Sequence, residues 1–185
     1  MSVEPQLRFD AEAYIAWASE QDRRYELVDG LVVAQAAERA AHAEMKFAMA
    51  RALLDAIQKS GLPCHVLPDG MAVKLDNATV FEPDALVYRG PKLHPDALLL
   101  ENLLIVVEVL SPSSGRNDAL HKLVGYFRLP SVQHYLIVDP DEPLVIHHQR
   151  MDGGKTMAAV LRGGAIQLDP PGLSVNISQI YGAPA

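Results

Sequence analysis

The sequence predicts an α/β (α+β) fold in which a mixed central β-sheet is flanked by helices, and three observations predict it. Residues 38–59, "ERAAHAEMKFAMARALLDAIQK", are rich in Ala, Leu and Met and contain neither Gly nor Pro, so they read as one long helix. Residues 103–110, "LLIVVEVL", read as a strand buried on both faces, interrupted by the carboxylate of Glu108. Around these two segments, short apolar runs are interleaved with further helical patterns, in the order helix, hairpin, long helix, several strands, helix, strand.

Each element follows from local chemistry. In "DAEAYIAWAS", Tyr14, Ile15 and Trp17 fall at helical spacing, with Asp10 as N-cap and Glu12 in the first turn. In "YELVDGLVVAQ", Asp29-Gly30 stands between two short runs rich in β-branched residues, the signature of a hairpin with a type I′ turn. Gly61 follows the long helix as its C-cap. "CHVLPDGMAVKLD" and "VFEPDALVY" supply strands separated by a Pro-Asp-Gly turn and a polar break at 76–79. "GRNDALHKLVGYFRL" is an amphipathic helix with Leu120, Leu123, Val124 and Phe127 as its core stripe. "HYLIVDP", "LVIHHQR", "TMAAVLR" and "AIQLD" complete the strands, with turns at Gly153-Gly154 and Gly163-Gly164.

A length of 185 residues suits one sizeable core, so a single domain over 1–185 is expected. The start of the chain lacks the pattern of a secretory signal, and the single cysteine, Cys64, has no internal partner. A cytoplasmic protein with an inert thiol is therefore expected. No uncharged apolar run approaches membrane-span length, since Glu101, Asn102 and Glu108 break the longest one. Sixteen Lys plus Arg against 23 Asp plus Glu give a net charge of -7, which argues against a protein that coats nucleic acid non-specifically.

Glu108 shares a strand face with Val106 and Leu110, while Val107 and Val109 point the other way. An ionised carboxylate there needs a cation, a proton or a hydrogen-bond donor. By itself it reads as an acid solvated or paired at a strand end, and Asp84 after Pro83 reads equally as a turn residue. Together, two carboxylates at the ends of neighbouring strands make a hard oxygen site suited to Mg²⁺ or Mn²⁺. Asp118, Lys122 and Tyr126 fall at i, i+4 and i+8, on one face of a helix that starts a few residues after Glu108. A lysine so placed suits the stabilisation of charge on a phosphate under attack.

"YELVDG", His42 near the start of the long helix, "EPDALV", "VVEVLSPSS", the set Asp118, Lys122 and Tyr126, and "HYLIVDP" together resemble the putative restriction endonuclease family (DUF820-like) of the PD-(D/E)XK nuclease superfamily. The resemblance runs from about residue 10 to 150 and implies a restriction-endonuclease-like core. It makes Asp84 and Glu108 the metal-binding pair, Lys122 the catalytic cation and Glu26 an additional acid, with His42, Asp118 and Tyr126 in support. His42 is expected to orient Glu26 or to lie exposed. The superfamily pattern places lysine two residues after the glutamate; here Leu110 stands there, and Lys122 takes its part. The implied activity is a Mg²⁺- or Mn²⁺-dependent DNA endonuclease, with a homodimer favoured where both strands are cut. The competing reading is a catalytically inactive nuclease-fold scaffold for binding or oligomerisation, which the charge and Leu110 favour. A hydrolase of smaller phosphate esters is a third. His147 and His148 alternate along a strand and make a poor chelating pair.

Overall fold

Pairing of the chain's strands builds two large sheets and a small one in the computed structural model, which describes residues 8–111 and 116–182. Helix α1 (Ala11–Ala18) leads into the hairpin β1 (Tyr25–Val28) and β2 (Leu31–Ala34), followed by helix α2 (Ala40–Ser60). Then come β3 (Cys64–Pro68), β4 (Ala72–Asp76), β5 (Thr79–Phe81), β6 (Ala85–Arg89), β7 (Leu99–Leu100) and β8 (Ile105–Val109). Helix α3 (Arg116–Tyr126) precedes β9 (His134–Val138), β10 (Val145–Arg150), β11 (Thr156–Leu161), β12 (Ala165–Leu168), β13 (Leu173–Asn176) and the short helix α4 (Ile177–Tyr181). None of the helices described is long and apolar enough to cross a membrane.

The expected mixed sheet is the six-stranded one, ordered β11-β10-β9-β8-β6-β3. In it β8 runs parallel to β9, and α3 is the crossover between them. A five-stranded sheet, β2-β1-β5-β4-β7, stands beside it, and β12 pairs with β13 alone. Of the five steps that the chain takes between the large sheets, two are three-residue turns, from β3 to β4 and from β5 to β6. The second of these turns is the tripeptide Glu82-Pro83-Asp84, so the two sheets meet where Asp84 stands.

Local chemistry accounts for the boundaries. Asp10 caps α1 by accepting from the Ala13 amide at 2.8 Å. Asp29 (φ 50) and Gly30 (φ 82) both have positive φ, as a type I′ turn demands. Gly61 ends α2 in the left-handed region, with its amide bonded to the Ile57 carbonyl at 3.0 Å.

Strand alternation sorts the core into layers. From β6 and β8, Ala85, Val87, Ile105, Val107 and Val109 pack against Met49, Leu53 and Ile57 of α2. Leu86, Tyr88 and Val106 point the other way, toward Val73, Leu75 and Phe81 of the five-stranded sheet and Tyr126 of α3. Each fully buried Leu, Ile or Phe contributes about 1.5–3 kcal/mol by removal from water. A smaller cluster, with Ala11, Tyr14, Leu27 and Val80, holds α1 against the outer face of the five-stranded sheet.

One helix is rotated from the seat that its apolar pattern predicts, so that half of the expected stripe packs against the core. Leu120 and Val124 of α3, expected in the core, are 59% and 52% exposed, and Leu123 and Phe127 are half-buried. The buried side carries Lys122 and Tyr126 instead. Gly125 lets the helix come this close, since a Cβ there would lie 2.7 Å from Leu75 Cδ2 and 2.9 Å from Phe81 Cε2.

Outside this region, His147 and His148 point to opposite faces of β10, as expected. His147 is buried against His134, with Nε2 2.8 Å from His134 Nδ1, while His134 Nε2 lies 2.8 Å from the Pro170 carbonyl. A carbonyl only accepts, so His134 carries its proton on Nε2 and receives at Nδ1 the proton of His147. Cys64 is buried, and burial raises its thiol pKa, in keeping with an inert role.

Two outcomes follow from this packing. Gly125→Leu overfills the seat of α3 and should cost about 1–3 kcal/mol, read as a lowered urea midpoint. Burial, then the neighbouring His134 and His148, push His147 down to about 4. A depressed histidine pKa gives stability that is present above about 6.5 and lost as pH falls toward about 4, on the order of 3 kcal/mol in full. Urea denaturation between pH 7 and pH 4 should therefore show a steeper loss in the wild type than in His147→Gln.

Candidate functional site

The carboxylates come together because of how β6 and β8 pair. The strands are antiparallel with Ala85 opposite Val107, so the start of β6 and the end of β8 lie at the same sheet edge. Asp84 enters β6 there, and its Oδ2 accepts the Val109 amide at 2.7 Å. Glu108 projects from β8 on the side away from α2, on the face it was expected to share with Val106 and Leu110. β1 brings Glu26, 8% exposed, whose Oε1 accepts the Glu82 amide at 3.0 Å.

From this seat, α3 aims Lys122 between the acids. Lys122 Nζ is 3.0 Å from Glu26 Oε1 and 3.2 Å from Glu108 Oε2, and all three side chains are nearly buried. The ammonium also stands 5.7 Å from the centre of the Phe81 ring, a cation–π contact. Tyr126, one turn further on, donates its hydroxyl to Glu108 Oε1 at 3.2 Å. Asp118 is in the first turn of α3, but its side chain lies outside the described residues.

His42, expected to orient Glu26 or to lie exposed, is instead largely buried and bonded elsewhere. It approaches from α2, with Nδ1 2.8 Å from Glu38 and Nε2 3.0 Å from the Val109 carbonyl and 3.6 Å from Asp84 Oδ2. The reason is topological: α2 covers the opposite face of the six-stranded sheet from α3, and only Asp84 at the sheet's edge is within its reach. The sheet thus divides the supporting groups, with Lys122 and Tyr126 serving Glu108 from one side and His42 serving Asp84 from the other.

Sequence reasoning missed a second set of ions behind this pair. Lys46, one turn after His42 on α2, pairs with Glu38, lies 2.8 Å from Asp69 Oδ2 and is 3.8 Å from Asp84 Oδ1. Arg24 grips Glu82 with Nε and an amino group, at 2.9 and 2.7 Å, and reaches Asp69 with its other amino group at 2.6 Å. The available signals were Lys46 in the i+4 position from His42 and Glu82 beside the Pro-Asp pair. Neither reveals a partner on a distant segment.

Charge within the cluster is unevenly balanced. Burial, together with the nearby Asp84 and Glu26, pushes Glu108 up to about 8 although Lys122 opposes the shift. Burial also raises Asp84, against the pull of the Val109 amide, His42 and Lys46. Burial alone would raise Asp69 as well, but the hydrogen bonds from Lys46 and Arg24 outweigh it and hold that acid below its ordinary range. Glu82, Asp84 and Glu108 thus all stand above their ordinary range, raised first of all by burial, whereas Asp69 and Glu38 stand below it. The described residues contain no preformed cluster of three His, Cys, Asp or Glu ligands, so any ion would rest on the carboxylates of Asp84 and Glu108 and on backbone or solvent oxygens. Glu108 lines an open cleft of about 940 Å³ together with Glu26, Lys122, His42 and Lys46.

The fold is that of a solved structure from Anabaena variabilis ATCC 29413 described as a "putative nuclease belonging to DUF820". The two superpose with a TM-score of 0.70 at 14% identity, over 88% of this chain and 92% of the other. A relative in Synechocystis sp. (strain ATCC 27184 / PCC 6803 / Kazusa), "Uncharacterized protein slr1290", is 24% identical over 176 residues, which are 94% of this chain and 92% of that protein. Residues 11–180 match the family Uma2, described as "Putative restriction endonuclease", and the chain belongs to that family.

Proposed function

We propose that the protein is a divalent-metal-dependent endonuclease that hydrolyses phosphodiester bonds of DNA. The observation that carries this reading is Lys122, set 3.0 Å from Glu26 and 3.2 Å from Glu108 at the edge where Asp84 also stands. Buried acids with too few cations, supplied with hard oxygen donors, fit Mg²⁺ or Mn²⁺ held by Asp84 and Glu108. A bound ion of this kind supplies Lewis-acid polarisation of the phosphodiester and a water of lowered pKa.

The chain's own residues do the rest. Tyr126 fixes one oxygen of Glu108, and the Val109 amide fixes one oxygen of Asp84, so both acids are oriented by the fold. Lys122 supplies the cation that meets negative charge building on the phosphate oxygens as water adds to phosphorus and the bond to the leaving oxygen breaks. Glu26 keeps that ammonium charged and aimed. His42 and Lys46 restrain Asp84 from the α2 side, as positioning residues rather than catalytic ones. In this arrangement Lys122 reaches the site through space from α3, which relieves position 110 of the task. Leu110 is left free to pack in the core beside Val106.

Supercoiled plasmid incubated with the purified protein in Mg²⁺ or Mn²⁺ should be nicked or linearised. Glu108→Ala and Lys122→Met should each slow cutting by about 100-fold or more while the fold is kept. Equal cutting by wild type and Glu108→Ala would assign the activity elsewhere, and no cutting with retained metal binding would favour the scaffold.

Stability should move the opposite way from activity. Because the folded pKa of Glu108 is raised to about 8, its contribution to stability is fully present below its ordinary range and is lost as pH rises through about 8. In EDTA, Glu108→Gln should therefore melt higher than the wild type at pH 9, with the gap closing toward pH 5. Mg²⁺ should raise the wild-type melting temperature at pH 9 and leave Glu108→Gln unchanged.

A further inference from the structure

The cleft reverses the charge balance of the chain. Among the described residues that line it, five Lys and Arg side chains stand against the carboxylates of Glu26, Glu38 and Glu108, whereas the whole sequence has 16 Lys and Arg against 23 Asp and Glu. Three of the five cations are already committed within the fold. Lys122 is held by Glu26 and Glu108, Lys46 by Glu38 and Asp69, and Arg24 by Asp69 and Glu82. Arg23, in the turn before β1, and Arg39, just ahead of α2, are the other two, and both are exposed at the cleft. Arg39 meets Asp141 at 3.4 Å, with the two side chains 46% and 64% exposed. Exposed pairs of this kind contribute little and exchange readily for a better anion.

We propose that Arg23 and Arg39 form a backbone clamp that holds phosphates of the DNA flanking the one at Lys122, and that Asp141 competes with DNA for Arg39. The inference rests on the nuclease reading and names how that cleft holds its substrate. A guanidinium suits the task because its planar donors match two phosphate oxygens at once. Two contacts of this kind supply affinity without reading sequence. They also resolve the conflict between a net charge of -7 and a polyanionic substrate, because the local field at the cleft, not the total charge, meets the DNA.

The test is fluorescence anisotropy of the full chain with a labelled DNA duplex, in Ca²⁺, over a series of salt concentrations, run beside plasmid cleavage. Arg23→Ala/Arg39→Ala should weaken binding by about tenfold or more at low salt and flatten the plot of log K against log salt by roughly 2, near 0.9 for each phosphate no longer neutralised. Asp141→Asn should tighten binding by about twofold, an effect that damage to the fold would not produce. A double variant with wild-type melting temperature and an unchanged salt slope, beside a wild type that cuts plasmid, overturns the clamp and leaves the nuclease reading standing. A wild type that neither binds nor cuts overturns both.

Discussion

A single ammonium, shared by Glu26 from one large sheet and Glu108 from the other, is the constraint around which the rest is arranged. Lys122 comes from the crossover helix between β8 and β9, so this ion pairing ties β8 and α3 to β1, which the chain visits far earlier. Burying such a group is costly unless its partners are close and well oriented. The fold provides this by turning the polar side of α3 inward, seating it on Gly125 and leaving Leu120 and Val124 in solvent. Two leucine- and valine-sized surfaces that would have strengthened the core are given up for one oriented cation. A stability-first sequence would not make that choice, and active sites are where such conflicts between local rule and global need are found.

The balance of charge has the same character. A well-paired structural cluster would leave every acid satisfied, as Asp69 is, gripped by Lys46 and Arg24. Glu108 accepts from Lys122 and Tyr126, yet burial and two neighbouring carboxylates hold it above its ordinary range. Perturbation by burial and like charge, in a cleft, marks a candidate functional site.

Much of this was readable before any coordinates, for identifiable reasons. The hairpin at Asp29-Gly30 and the end of α2 at Gly61 follow from backbone conformations that few residues adopt. The facing of Glu108 follows from strand alternation, which needs no knowledge of neighbours. What depended on tertiary partners was harder to see. Half of the apolar stripe of α3, Leu120 and Val124, was placed on the wrong side because periodicity ranks Leu and Val above a lysine paired with acids 14 and 96 positions away. The partners of His42 were left open between Glu26 and solvent because nothing local says which sheet face α2 will cover. The ring of Arg24, Lys46, Asp69 and Glu82 was invisible for the same reason, being made of ordinary charged residues with partners 23 to 58 positions distant. The second large sheet was also missed, since the turn at Glu82-Pro83-Asp84 reads as a pause in one sheet rather than a passage to another.

That passage shapes what evolution can vary. Asp84 and Glu108 are separated by a long excursion through β6, an exposed stretch at 90–98 and β7, and lengthening the exposed stretch costs little, since loop entropy grows slowly with length. Within Ile105–Val109 the opposite holds: one inserted or deleted residue would turn the carboxylate toward α2 and present a valine to Lys122. Distant members of such a lineage should therefore drift freely in the number of residues between the two acids while keeping the parity of each acid with its own strand. Spacing is then a poor guide to shared ancestry here, and alternation a good one.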